Sequence, residues 1–251
     1  MEPHVPSPAH PLYRFAKAIA GGLSEYWHRA TCDGLSCLPK GPALLVGNHG
    51  LFGFETPIFF YLLHQATGRV PVGLTDRTLF GNRLMRPVLS QLGGVVGTRE
   101  NALTLLRAGH LVVCYPGGSR EVFKSPERKY QLQWERAEGF ARIAIDAQVP
   151  IVPFAALGVD DSYVNFGHVR ALQRRLGRYA FPLAMGLGPI PLPVPFRFLL
   201  GAPIPPPSSH EQASQLKEAV TSRVERMLQV VRPLREVRDV EAPHIPVRLV
   251  R

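Results

Sequence analysis

Near the start of the chain the apolar residues Leu12, Phe15, Ile19, Leu23 and Trp27 recur at three- and four-residue intervals, with Arg14, Lys17 and His28 elsewhere on the wheel. An amphipathic helix has that period. Gly21 and Gly22 interrupt it. Each costs about 1 kcal/mol in a helix interior, so the helix is expected to bend or to form two short pieces. Its apolar stripe either covers the domain's own core or lies in a membrane interface, and the pattern alone leaves both readings open.

Further along, short apolar runs at residues 43–46, 70–74, 95–97, 111–115 and 151–157 read as strands, with helical patterns between them at residues 56–65, 83–92, 100–108 and 134–147. Such alternation predicts an α/β fold, a mostly parallel central sheet flanked by helices. Residues 181–200 are long and apolar enough to suggest a membrane span, but Pro182, Pro189, Pro191, Pro193 and Pro195 each remove a helix donor and clash with the preceding turn. An extended passage over the core is expected there, ending in a strand at residues 196–201, with a membrane-dipping loop as its functional variant. A closing helix is expected at residues 212–231, before Pro233. The chain therefore divides into an N-terminal amphipathic helix and lead-in over residues 1–40, a main domain over 41–238, and a basic flexible tail over 239–251.

Composition narrows the class. With 251 residues, 45% hydrophobic and 19% charged, the chain fits one globular domain with a full core. A net charge of +10 implies attraction to polyanions, either nucleic acid or an anionic lipid surface. The basic residues are spread along the chain without interleaved aromatics or zinc-finger spacing, so no nucleic-acid partner is expected. Cys32, Cys37 and Cys114 are an odd number, Cys114 sits inside an apolar run, and residues 1–10 lack the apolar stretch of a signal peptide. No disulfide framework and a cytosol-facing, reducing location are expected. The nine histidines form no H-E-x-x-H and the cysteines no C-x-x-C, and no G-x-G-x-x-G or Walker loop occurs, so neither a metal nor a nucleotide cofactor is expected.

Two segments carry candidate chemistry. Asn48-His49-Gly50 through Glu55 follows a predicted strand and precedes a helix, where α/β folds present residues in a ligand crevice. Glu55 can fold back to accept from one ring nitrogen of His49, leaving the other toward a substrate, with Gly50 and Gly53 easing the turn. The plainer reading is a hydrogen-bonded structural histidine. Pro116-Gly117-Gly118-Ser119-Arg120-Glu121 follows another predicted strand, so its glycines could bring backbone N–H groups close to an oxyanion, and Arg120 offers a planar fork to a phosphate or carboxylate. Its plainer reading is a turn with Arg120 and Glu121 on the surface.

Taken in order, these segments resemble the lysophospholipid and glycerolipid acyltransferases, in particular the diacylglycerol acyltransferase-like branch that contains plant phytyl ester synthases. The His49-x5-Glu55 spacing is similar to that branch's form, one residue wider than the His-x4-Asp box of the lysophosphatidate enzymes. Gly93-Gly94-Val95-Val96 with Arg99-Glu100-Asn101 resembles the region lining the acceptor pocket. Tyr115 through Glu121 resembles the Pro-Gly-Gly-x-Arg-Glu box of the neutral-lipid branch more than the Pro-Glu-Gly-Thr-Arg box of the phospholipid enzymes, and residues 149–154 with Asp160-Asp161 resemble the strand after the long helix.

The resemblance implies His49 as general base and Glu55 as its orienting acid, with Asn48, Gly50, Arg99, Gly117, Gly118, Ser119, Arg120 and Glu121 around the substrates. The implied reaction moves a fatty acyl group from an acyl-CoA or acyl carrier protein thioester to a neutral lipid alcohol such as diacylglycerol, monoacylglycerol or a long-chain alcohol. Its partners would be these two substrates and a peripheral membrane surface, in an undetermined oligomeric state. The alternatives are a lysophosphatidate-type acyltransferase, a lipid esterase or thioesterase, and a non-catalytic lipid-binding module. A serine esterase lacks support, because Ser119 is not in the G-x-S-x-G elbow that such a nucleophile needs.

Overall fold

The computed structural model describes residues 3–81, 83, 85–135, 137–167, 184–186 and 190–230. Its strands are β1 (Thr31–Asp33), β2 (Ala43–Gly47), β3 (Val72–Thr75), β4 (Gly94–Val96), β5 (Leu111–Cys114), β6 (Ile151–Leu157), β7 (Val164–Asn165), β8 (Ala184–Met185) and β9 (Arg197–Leu200). All but β7 and β8, which pair as a separate ribbon, join one sheet of order β1-β9-β6-β2-β5-β3-β4. From β6 to β4 the strands are parallel; β9 runs antiparallel to β6, and β1 parallel to β9.

Helices α1 (Pro11–Gly22), α2 (Glu55–Thr67), α3 (Arg77–Phe80), α4 (Met85–Gln91), α5 (Arg99–Arg107), α6 (Ser119–Val122), α7 (Gly139–Ala147) and α8 (Ala213–Gln229) connect and cover the sheet. Every residue of β2 and β6 is buried, as expected of central parallel strands covered on both faces. Their side chains alternate between two cores. Leu44 and Val46 pack with α5, α7 and α8, while Ala43 and Leu45 pack with α2 around Phe59 and Phe154.

Several boundaries differ from the sequence pattern for identifiable reasons. The helix expected over 134–147 starts only at Gly139: the N–H of Gln133 donates to the Glu121 carboxylate, and Trp134 turns inward against Phe140. The helix expected over 83–92 forms as α4, and ahead of it stands a short helix that the apolar pattern does not give, α3, started by Asp76 capping the N–H of Thr78 and left at Gly81. The lead-in of residues 1–40 is part of the domain's packing, since β1 forms an edge of the sheet and α1 lies against α2.

At the paired glycines α1 passes into a π-helical turn, Leu23–Trp27. Gly21 is there for contact: a Cβ on it would meet the Tyr61 ring of α2 at 3.0 Å. The helix therefore packs through Tyr13, Ala20 and Gly21, and the apolar stripe divides. Leu23 packs on the core, whereas Phe15 is 64% exposed and Ile19 49%, with Tyr26 beyond them at 83%. No helix among the described residues is long and apolar enough to cross a membrane. The tail expected at 239–251, and residues 181–183 and 187–189 of the proline-rich passage, lie outside the described residues.

Candidate active site

Strands β2 and β5 are neighbours, with Val46 beside Cys114, so the segments that follow them leave the sheet side by side at its carboxyl edge. The β2–β6 pairing ends at Gly47 and Phe154, and the side chain of Asn48 continues it. Its Nδ2 donates to the Ala156 carbonyl at 2.9 Å, and its Oδ1 accepts from the Ala156 N–H at 2.7 Å. Asn48 is thus a structural splice, buried and not among the residues that line the cavity beside His49. It fixes where the next residue, His49, begins.

Between His49 and α2 the chain reverses in a tight turn in which Phe52 (φ 60°) and Gly53 (φ 70°) are both left-handed. A Cβ on Gly53 would meet His49 Cε1 at 2.8 Å, so this position admits the imidazole only without a side chain. The reversal returns Glu55, at the first turn of α2, to His49: Oε1 lies 2.5 Å from Nδ1 and accepts the Gly50 N–H at 3.0 Å. Burial alone would push the Glu55 carboxyl up, but the attraction of His49 and hydrogen bonds from His49 and Gly50 outweigh it and hold the group below its ordinary value. An ionised Glu55 only accepts. Nδ1 of His49 therefore carries a proton toward Glu55, and in the neutral ring Nε2 is the nitrogen that holds the lone pair.

Tyr115, directly after β5, stacks flat on the His49 ring, with centroids 3.9 Å apart and planes 9° from parallel. Burial, then the nearby Glu55, pushes its phenol well above its ordinary range, so it stays neutral and covers one face of the imidazole. Beyond Tyr115 the chain turns at Gly118 (φ 50°) into α6, and Gly118 and Ser119 line the cavity beside His49. As the first residue of α6, Ser119 has no intrahelical acceptor for its N–H.

Gly117 has a packing reason: a Cβ there would run into the Glu121 carboxyl. Glu121 is fully buried, accepting the N–H of His49 at 2.8 Å and that of Gln133 at 3.0 Å. Burial raises its pKa, and Lys124 with those two N–H groups pulls the other way. It holds the His49 backbone from within the protein and is not among the residues lining the cavity. Arg99 and Arg120 are not among the residues lining the cavity. Arg99 binds Asp146 at 2.7 Å, and Arg120 faces Glu135 at 3.7 Å on the surface.

The His49 ring opens onto a cavity of about 460 Å³ walled mainly by apolar side chains, among them Phe52, Phe60, Leu74, Leu89, Leu92 and Phe123. Among its described lining residues there is no lysine or arginine, and the acid, Asp76, is engaged in capping α3. Sequence reasoning missed Lys124, whose Nζ donates to the His49 carbonyl at 2.9 Å and to Asp160 at 2.8 Å. Its only sequence signal is its position three residues after Glu121, which places both on one turn.

Fold and site together define an α/β protein with a histidine–carboxylate pair at the carboxyl edge of its sheet, facing an apolar cavity. Residues 29–156 match the model of the acyltransferase family, and the chain belongs to that family. It is 30% identical over 208 residues to the mouse protein named "DGAT1/2-independent enzyme synthesizing storage lipids", covering 82% of this chain and 62% of the mouse protein. The human protein of the same name gives 30% over 209 residues, covering 82% and 64%. The chain thus spans about three fifths of the length of these curated relatives. An uncharacterised protein of Mycobacterium tuberculosis is 27% identical over 252 residues, covering 90% of this chain and 68% of that one. Among solved structures, the 1-acyl-sn-glycerophosphate acyltransferase PlsC of Thermotoga maritima superposes with a TM-score of 0.55 at 18% identity, covering 92% of this chain and 80% of that one, a likeness of fold.

Proposed function

We propose that the protein is an O-acyltransferase that moves a fatty acyl group from an acyl-CoA or acyl carrier protein thioester to a neutral lipid alcohol, such as diacylglycerol, monoacylglycerol or a long-chain alcohol. The observation that carries this is the His49–Glu55 pair opening onto an apolar cavity with no lysine or arginine among its described lining. A phosphate in the acceptor would enter such a space without a cation to pair with, which is costly. The two arginines that could have served it are engaged by Asp146 and Glu135.

In this reading Nε2 of His49 takes the hydroxyl proton as the acceptor oxygen attacks the thioester carbonyl carbon. A C–O bond forms, and the carbonyl electrons move onto oxygen, where the Ser119 N–H stabilises them. They return as the C–S bond breaks, and the leaving thiolate takes the proton from the imidazolium. Glu55 stabilises that imidazolium throughout, and no acyl-enzyme is required. Positioned base catalysis contributes about 10²- to 10⁴-fold, so holding donor and acceptor together must supply much of the remainder.

The outward Phe15, Ile19 and Tyr26, with exposed Arg14 and Arg29 near them in sequence and a net charge of +10, support attachment to the anionic, cytosolic surface of a membrane. The free thiols of Cys32, Cys37 and Cys114 suit that compartment. The test of the acceptor is competition between diacylglycerol, a long-chain alcohol and lysophosphatidate at equal surface concentration, with acyl-CoA and acyl carrier protein donors in turn, following ester by mass spectrometry. The neutral alcohols should be preferred. A tenfold or greater preference for lysophosphatidate would overturn the neutral-acceptor reading, and release of free fatty acid without ester would make the protein a thioesterase.

A further inference from the structure

Residues 117–124 present two faces. Ser119, Val122 and Phe123 wall the cavity, while Glu121 and Lys124 are buried behind them. Both buried groups reach His49, Glu121 accepting its backbone N–H at 2.8 Å and Lys124 donating to its carbonyl at 2.9 Å. The charge of Lys124 is met at 2.8 Å by Asp160, in the turn after β6, and Asp160 also accepts the N–H of Tyr130 at 2.7 Å. Burying an ammonium is expensive, and an apolar side chain of similar reach would fill the space more cheaply. What an apolar side chain cannot do is hold a carbonyl.

We propose that Lys124, anchored by Asp160, is a positioning residue for the His49 base: together with Glu121 it clamps His49 at both backbone ends and ties the aim of the imidazole to the wall of the cavity. Glu55 and Tyr115 orient the ring; Glu121 and Lys124 orient the residue that bears it. The two are complementary. Lys124 also supports Glu121, which is faced by His49 from the loop after β2, by the Gln133 N–H from the loop before α7, and by Lys124 on its own turn. Without the ammonium, Glu121 and Asp160 lose their cation, Glu121 holds a proton to higher pH, and its grip on the His49 N–H weakens there.

This inference rests on His49 being the base of the proposed reaction, so its test has one readout that does not depend on turnover. Lys124→Met, Asp160→Asn and Lys124→Arg are compared with the wild type by thermal unfolding, by kcat and KM across pH, and by ¹⁵N NMR titration of the histidine side chains. Folded Lys124→Met should lose about 10- to 100-fold in kcat, the scale of a slightly misplaced base, with KM within about twofold. Its acid limb should move to higher pH, and its His49 titration should be displaced. Asp160→Asn should do the same more weakly, and Lys124→Arg should recover part of the loss. Unchanged kcat and an unchanged His49 titration in folded Lys124→Met would overturn the proposal. So would failure of both Lys124→Met and Asp160→Asn to fold, which would make the pair scaffold alone. If the wild type transfers no acyl group yet the titration is displaced, the reaction reading fails and the positioning stands.

Discussion

His49 and Glu55 share one hydrogen bond and one proton, so their losses should not add. His49→Ala should lower turnover by about 10²-fold or more, Glu55→Gln somewhat less, and the double variant should resemble His49→Ala alone in steady-state assays. A pH signature accompanies this. The folded Glu55 carboxyl lies below its ordinary value of 4.5, so its ionised form stabilises the fold at higher pH, and that contribution is lost as pH falls through the depressed value. The stability of Glu55→Gln measured by denaturant should therefore fall less steeply with acid below about pH 4.5 than that of the wild type. Both residues were legible in the sequence, because a histidine after a buried strand with an acid before the next helix is a local pattern. Arg99 and Arg120 show the opposite case. A guanidinium next to a motif in sequence reads as part of the site, but an arginine side chain is long enough to leave it, and here Asp146 and Glu135, distant in sequence or on another loop, decide where the two groups go.

Strand β2 and its neighbours hold the site through backbone pairing, and Asn48 shows how closely the element and the chemistry are joined. Asn48→Ala would strip the partner from the buried N–H and carbonyl of Ala156. An unsatisfied buried group costs about 1–3 kcal/mol, so the variant should lose several kcal/mol in equilibrium unfolding, with activity falling as His49 shifts. Loss of well under 1 kcal/mol would show that Ala156 finds another partner. The central strands were readable because they are apolar on both faces, and the sheet class followed from their alternation with helices. Helix ends were less so. Where α7 begins depends on Glu121 capturing the Gln133 N–H, and α3 starts at Arg77 because Asp76 caps it, choices made by groups outside the apolar period itself.

On the whole molecule, the division of the α1 stripe matters most. Phe15 and Ile19 face outward although their spacing is that of a core-facing helix, because Gly21 lets α2 approach on the small-residue side. A Phe15→Ser, Ile19→Ser, Tyr26→Ser variant should keep its thermal stability and lose most of its binding to liposomes containing anionic lipid, measured by flotation. Salt should weaken wild-type binding as well, since surface attraction fades beyond a Debye length of about 8 Å at physiological ionic strength, while the apolar part persists. Equal flotation of variant and wild type would remove α1 as the attachment face.

The amino-acid sequence by itself determined the α/β class, the central strands, the pairing of His49 with Glu55, and the glycine-rich segment after β5, because each is written in neighbouring residues: a period, a run or a motif. Only the tertiary structure decided which face of α1 is covered, that Glu121 works inward on His49, that Lys124 joins it, and that the two arginines stand outside the cavity. Those outcomes depend on pairs of residues separated by long stretches of chain, such as Lys124 with Asp160 and Asn48 with Ala156. A local pattern carries the chemical identity of each partner, but the partnership exists only once the sheet has placed the ends of β2, β5 and β6 side by side.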